Sequence, residues 1–169
     1  ISDTLKATIG LATGPGDPPS SNQTMDDAFS RKQINLDLAY FEWTPGFAPG
    51  LAFDAGKMRN PCLTVDDLIW DTDVTPEGLA LGYTHALGPV DLIANAMAFW
   101  VDERYKAIEQ IEGGTVKNTD SDTLLYIGQL GFKVKPCDTT YLLVAGSYYH
   151  YQNMAGYQTL YDSTKSYGN

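Results

Sequence analysis

No apolar run in this sequence approaches the roughly 18 residues that a membrane-spanning helix needs, so any membrane role must fall to strands. Positive charge is scarce: eleven Lys and Arg stand against twenty-one Asp and Glu, for a net charge of -10. A surface of that sign repels polyphosphate, which excludes a dedicated nucleic-acid binder as a class. Cysteine is limited to Cys62 and Cys137, compatible with one disulfide or with two free thiols, and spacing alone leaves the choice open. Histidine is limited to His85 and His150, and there is no Gly-x-Ser-x-Gly elbow, so nucleophilic catalysis has little to work with. No charged and then apolar leader precedes Ile1, so the chain reads as a mature form or a fragment.

What remains is a chain of 169 residues, 43% hydrophobic, with 16 Gly, 11 Tyr and 3 Trp. That is too apolar for disorder and fits one ordinary domain, rich in turn formers, strand formers and interface aromatics. Period-2 alternation is the main signal. Leu5, Ala7, Ile9 and Leu11 alternate with Lys6, Thr8, Gly10 and Ala12. Ile34, Leu36, Leu38 and Tyr40 alternate with Asn35, Asp37 and Ala39. The same holds for Leu51, Phe53 and Ala55, and for Leu79, Leu81 and Tyr83, whose intervening residues are polar or small. Segments near 90–101, 123–134 and 139–151 are strand-like but less regular, because Ile93, Met97, Ile127, Leu142 and Val144 break the alternation. The count is seven strands and the class is all-β.

Connection length alternates strictly. Long linkers at 14–32, 59–76, 102–121 and from 152 onward interleave with short, turn-rich ones at 44–50, Gly88-Pro89 and 136–138. In an antiparallel meander this puts every long loop at one end and every tight turn at the other. Transmembrane β-barrels have that asymmetry. Charge collects in the long loops, while 79–87 and 139–151 contain no Asp, Glu, Lys or Arg. Aromatics gather at strand ends, as Tyr40, Phe41 and Trp43, as Trp100 and Tyr105, and as Tyr148, Tyr149 and Tyr151, a placement expected of interfacial girdles. The competing reading fills a soluble β-sandwich core with these aromatics, making the chain a secreted carbohydrate-binding module.

Three blocks resemble the Putative porin family of Gram-negative outer membranes. They are NQTMDDAFSRKQINLDLAY at 22–40, GKMRNP at 56–61 and DLIWDTDVTPEG at 67–78. In that family a similar N-Q-T-x-D-D-x-F-S-R-K loop enters a strand, a G-K-M-x-N-P strand end leads into a loop, and a W-D-x-D-x-x-P-E-G segment opens the next strand. Cys62 stands where an aromatic is more usual. The resemblance implies one antiparallel transmembrane barrel domain over 1–169, part of a larger barrel. It would be a channel and not an enzyme, for passive diffusion of small hydrophilic solutes and ions. Its partners would be the lipid bilayer, lipopolysaccharide and, by porin habit, two further copies in a trimer. A barrel enzyme using one histidine and a neighbouring serine is a weaker third possibility.

Several residues carry more specific expectations. Lys6, Asn35, Asp37 and Asp54 fall on the polar, lumen-facing parity, as do Asp91, Asn95, Gln129 and Lys133. Ile34, Leu36, Leu38, Leu79, Leu81 and Tyr83 are expected to face lipid. Lys57 and Arg59 share the parity of Leu51 and Phe53, so they either snorkel at the strand's loop end or turn inward through a bulge at Gly56. The 61–76 loop holds Asp66, Asp67, Asp71 and Asp73 beside Leu68, Ile69 and Trp70. Either those apolar residues anchor it back inside the barrel and its carboxylates narrow the opening opposite Arg31, Lys57 or Arg59, or it points outward and caps the rim. Rings of acid favour cations, so a weak cation preference is expected. No cofactor is expected. The acidic loop offers oxygen ligands suited to a structural Ca²⁺, yet Pro76 stands where an EF-hand needs Gly. With long loops at one end, Cys62 and Cys137 should lie at opposite rims and remain unbridged.

Overall fold

Alternating side chains on an extended backbone produce a single antiparallel meander. The structure is a computed structural model that describes residues 3–14, 16, 18, 20–23, 29, 31–65, 68–103, 108–110, 116–118, 122–137 and 139–155. The strands are β1 (Leu5–Ala12), β2 (Asn35–Trp43), β3 (Leu51–Lys57), β4 (Glu77–Leu87), β5 (Val90–Asp102), β6 (Ile108–Gln110), β7 (Val116–Asn118), β8 (Thr123–Cys137) and β9 (Thr140–Gln152). Seven form one sheet in the order β1-β2-β3-β4-β5-β8-β9, while β6 and β7 make a separate two-stranded hairpin. Every neighbouring pair in the large sheet is antiparallel. Strands β1 and β9 have one neighbour each, so the sheet is open, consistent with part of a barrel. No described helix is long and apolar enough to cross a membrane.

Residues 58–65 and 68–76, in the connection from β3 to β4, pack as a strap over one face of this sheet, hereafter the strap face. The seven expected strands and the alternation of long and short connections are both present. The opposite, bare face carries Ile9, Leu11, Leu36, Phe41, Leu79, Leu130, Phe132, Leu142 and Val144, all exposed. Leu36 is 53% exposed and Leu81 44%, so neither is enclosed by protein, and among the described residues no second sheet packs on them as a sandwich would require.

One phase expectation fails. Leu38 is 5% exposed and lies on the strap face, where its side chain covers Gly10. The register explains this: Gly10 pairs with Leu38 but Leu11 pairs with Leu36, so Asp37 is an extra residue. A β-bulge of this kind inverts the alternation on either side of it. Residues 38, 40 and 42 therefore share the strap face with Lys6 and Thr8, and Tyr40 belongs there too, not with Leu36.

At Gly56 the pairing runs without a shift, Ala55, Gly56 and Lys57 opposing Leu79, Gly78 and Glu77. There is no bulge, so Lys57 stays in the bare-face register at the loop end of β3, the snorkelling alternative. Gly56 is needed for another reason. Its φ is +123°, and a Cβ there would stand 2.3 Å from the Ala39 carbonyl oxygen. Cys62 and Cys137 are both free thiols, as opposite rims require.

Candidate functional site

The strap begins and ends at a closed base, where the Met58 N–H donates to the Pro76 carbonyl at 2.9 Å. The Asn60 side-chain oxygen accepts the Cys62 N–H at 3.0 Å, a local turn that steers the chain back over the sheet. Met58 and Cys62 then enter an apolar cluster with Ala80, Met97, Phe99, Leu125 and Ile127, against which Tyr40, Trp70, Val101 and Tyr149 pack. Burying each large side chain of this kind contributes about 1.5–3 kcal/mol. The cluster lies over the long-loop half of β4, β5 and β8, with Tyr40 of β2 and Tyr149 of β9 packed at its sides.

Cys62 donates its thiol to the Met97 thioether across 3.4 Å. Burial pushes this thiol up from its ordinary value to about 11, opposed in part by a hydrogen bond with Tyr149. Trp70 meets the Tyr149 ring with centroids 6.4 Å apart, while its indole nitrogen is buried without a hydrogen-bond partner. Beyond Cys62, the Leu63 backbone is gripped by Gln129: the Leu63 N–H donates to Gln129 Oε1 at 2.8 Å, and Gln129 Nε2 donates to the Leu63 carbonyl at 2.9 Å. The loop lies back against the sheet and does not point away from it. Of the three expected anchors Trp70 packs, while Leu68 and Ile69 are exposed, and Met58, Cys62 and Leu63 supply the other contacts.

The expected constriction residues separate. Asp71 and Asp73 lie in the returning half of the strap, with Asp71 Oδ1 accepting the Asp73 N–H at 2.8 Å. Asp73 Oδ2 accepts the Ser21 N–H at 3.0 Å, tying the strap to the β1–β2 loop. Asp66 and Asp67 lie outside the described residues. Arg31 and Arg59 are exposed. Lys57 Nζ donates to the Thr75 carbonyl at 2.9 Å and lies 3.4 Å from Glu77 Oε1, an arrangement at the strap's base. Among the described residues no group of three or more His, Cys, Asp or Glu side chains gathers as a metal would need.

On the β1–β3 side the strap face is polar toward the tight-turn end, while Leu38 and Tyr40 lie nearer the long-loop end. Lys6 Nζ is 3.7 Å from Glu42 Oε1, and Glu42 is the register partner of Asp54, whose Oδ1 is buried without a hydrogen-bond partner. Two carboxylates directly opposite one another repel, so this row retains an uncompensated negative charge beside Lys6. Asn35 Nδ2 donates to the Gly14 carbonyl at 2.8 Å, and Asp37 is the bulge residue. Along the rest of the face, Asp91 pairs with Lys135, and Lys133 stands over the Tyr141 ring. Glu42 was missed in the sequence because the bulge at Asp37 reverses its parity. Gln129 was legible as polar-face, but nothing in the sequence marked it as a hub.

On the bare face, rings mark two levels. Tyr83 stacks with His85 near the β4–β5 turn, and Tyr126 stacks with His150 near the long-loop end, where Trp100 is also exposed. The two histidines are thus at opposite ends and form no dyad. On paired β4 and β5, Leu92 opposes His85 and Trp100 opposes Glu77. Those eight steps cover about 27 Å of strand, or roughly 20 Å in projection after a tilt of about 40°.

A family model described as Putative porin matches residues 1–167. The chain belongs to this family. No curated protein and no solved structure matches it. In this member of the family the exposed leucines and valines lie on the bare face, and the charged residues of β1–β3 on the strap face.

Proposed function

We propose that the chain forms part of an outer-membrane β-barrel, a water-filled channel through which small hydrophilic solutes and ions diffuse passively, with weak cation preference. The observation that carries this reading is the inversion of the sheet's two faces. The side without protein cover is apolar between two aromatic levels, while Lys6, Glu42, Asp54, Asp91, Asn95, Gln129 and Lys133 share the other side. Such a sheet is stable where lipid takes up the apolar side, since charge there costs roughly 2–4 kcal/mol at mid-bilayer. The strap narrows the passage by filling one wall, and solutes pass along the polar wall of β1–β3. Dipolar solutes orient between Lys6 and the two carboxylates, and the surplus of acid over base sets the cation preference.

Reconstitution into planar bilayers tests this reading. Stepwise conductance is expected, with reversal potentials under a salt gradient that report modest cation selectivity, stronger at low ionic strength. A protein that stays monodisperse without detergent and inserts into no bilayer would overturn it. Trimeric assembly, a further part of the proposal, predicts three protomers per detergent particle by light scattering.

A further inference from the structure

Gln129 is 4% exposed and uses its whole hydrogen-bonding capacity. Its Oε1 accepts from the Leu63 N–H at 2.8 Å and from Asn95 Nδ2 at 3.0 Å. Its Nε2 donates to the Leu63 carbonyl at 2.9 Å and to Ser147 Oγ at 2.8 Å. Exchanging the oxygen and nitrogen of the carboxamide would set donor against donor at the Leu63 N–H and acceptor against acceptor at its carbonyl, so the network itself assigns the orientation. The two bonds to Leu63 reproduce what an antiparallel partner residue makes with its opposite number. A side chain here does the work of a strand.

Lys57 of β3 also meets the strap's backbone, but through one bond to the Thr75 carbonyl at the strap's base. The Leu63 side chain sits over Gly131, where a Cβ would come within 3.1 Å of Leu63 Cδ1, so the next position on the same row of β8 is a seat for it. Glu at 129 would lack both donors, Leu would lack every polar atom, and Asn would fall about 1.5 Å short. Leu and Asn leave the Leu63 N–H and carbonyl without this partner, while Glu can still accept the N–H but sets an acceptor against the carbonyl; the loss falls beside a buried side chain, where a missing partner costs most.

We propose that Gln129 is the positioning residue that latches the strap to the sheet and so sets the width of the opening. The latch consists of neutral amides, so it holds across pH and ionic strength, unlike a gate made from ion pairs. The width assignment rests on the channel reading above; the latch itself does not.

Two native thiols supply a test that needs no channel. Cys62, 9% exposed, lies in the strap one residue before Leu63, whereas Cys137 is exposed at the opposite rim and serves as internal reference. The detergent-solubilised protein is alkylated with N-ethylmaleimide, and each cysteine is followed by mass spectrometry. In Gln129→Leu and Gln129→Glu, Cys62 is expected to react at least tenfold faster relative to Cys137 than in the wild type. Ser147→Ala, which spares both bonds to Leu63, is expected to stay within about twofold of it. Unchanged Cys62 reactivity in both Gln129 variants would overturn the latch, and so would an equal rise in Ser147→Ala, which would mean general loosening. In planar bilayers the same Gln129 variants are expected to raise single-channel conductance; a faster-labelling variant with wild-type conductance would overturn the width assignment. A wild-type protein that conducts nothing would sink the channel reading alone, while the labelling result still decides the latch.

Discussion

The strap face has two walls of different chemistry. Its tight-turn half carries Lys6, Glu42 and Asp54, with Asp91 and Lys133 further along; its long-loop half carries Ala80, Met97, Phe99, Leu125 and Ile127, with Leu38 and Tyr40 of β2. Both belong to one sheet and share one face, yet only the second is apolar. The difference teaches that apolar side chains on the water-wetted side mark the seat of a covering segment. The strap takes the apolar wall, and on the channel reading proposed above solutes meet the polar one.

The largest expected effect breaks the covered wall. Leu125 is among the most deeply buried side chains, and Leu125→Ala should destabilise the fold by about 2–5 kcal/mol, the usual cost of a core cavity. Guanidinium titration in detergent or lipid would measure it, and a loss under about 1 kcal/mol would mean that the strap is not seated. Next comes the contrast between faces. Leu81→Lys puts a cation on the bare face and should cost about 2–4 kcal/mol in a bilayer, whereas Ala52→Lys, on the polar wall, should cost under about 1 kcal/mol. Equal costs for the two would remove the distinction between a lipid side and a water side.

How much of this was legible in the sequence follows from the same contrast. Strands were readable because Leu5 to Ala12, Leu51 to Gly56 and Leu79 to Thr84 alternate without interruption, and the loop rhythm fixed which end was which. Leu38 was misread because a bulge adds one residue, Asp37, without any compositional mark. Met97 and Ile127 looked like interruptions of the alternation; they are strap-face residues kept apolar by Met58 and Cys62 above them. The strap's aspartates were conspicuous and its aliphatic pair Leu68-Ile69 more so, yet exposure separates those two from the true anchors. The pairing of a buried carboxamide with the Leu63 peptide depends on two positions 66 residues apart, and no local pattern announces it.

A smaller effect sharpens the assignment of selectivity between the walls. Asp73 already accepts the Ser21 N–H and Asp71 accepts the Asp73 N–H, whereas Asp54 keeps one oxygen without a partner beside Glu42. Removing charge from Glu42→Gln with Asp54→Asn should therefore reduce the cation preference more than Asp71→Asn with Asp73→Asn. Reversal potentials at low ionic strength would compare the two pairs, because screening lengths are then longest. A larger loss in the strap pair would return the constriction to the strap carboxylates.

The smallest effect concerns Cys62 alone and reads whether the covered wall stays dry. Desolvation is the main reason its thiol is held at about 11 against an ordinary value of 9.0, and the Tyr149 hydrogen bond only moderates it. The thiolate is the form that reacts with maleimides, so its rate at Cys62 should rise about tenfold for each pH unit from 8 to about 11. An exposed thiol would level off near its ordinary value. The linkage to stability has a definite sign. Between the unfolded and the folded titration points the unfolded chain has released a proton that the folded chain still holds, so stability falls as pH rises through that window. Below the lower point both forms are protonated and the thiol contributes no pH dependence. Cys62→Ser should flatten this alkaline loss while leaving the neutral-pH conductance unchanged. A rate plateau near pH 9 in the wild type would show water at Cys62, and with it a strap that does not seal the apolar wall.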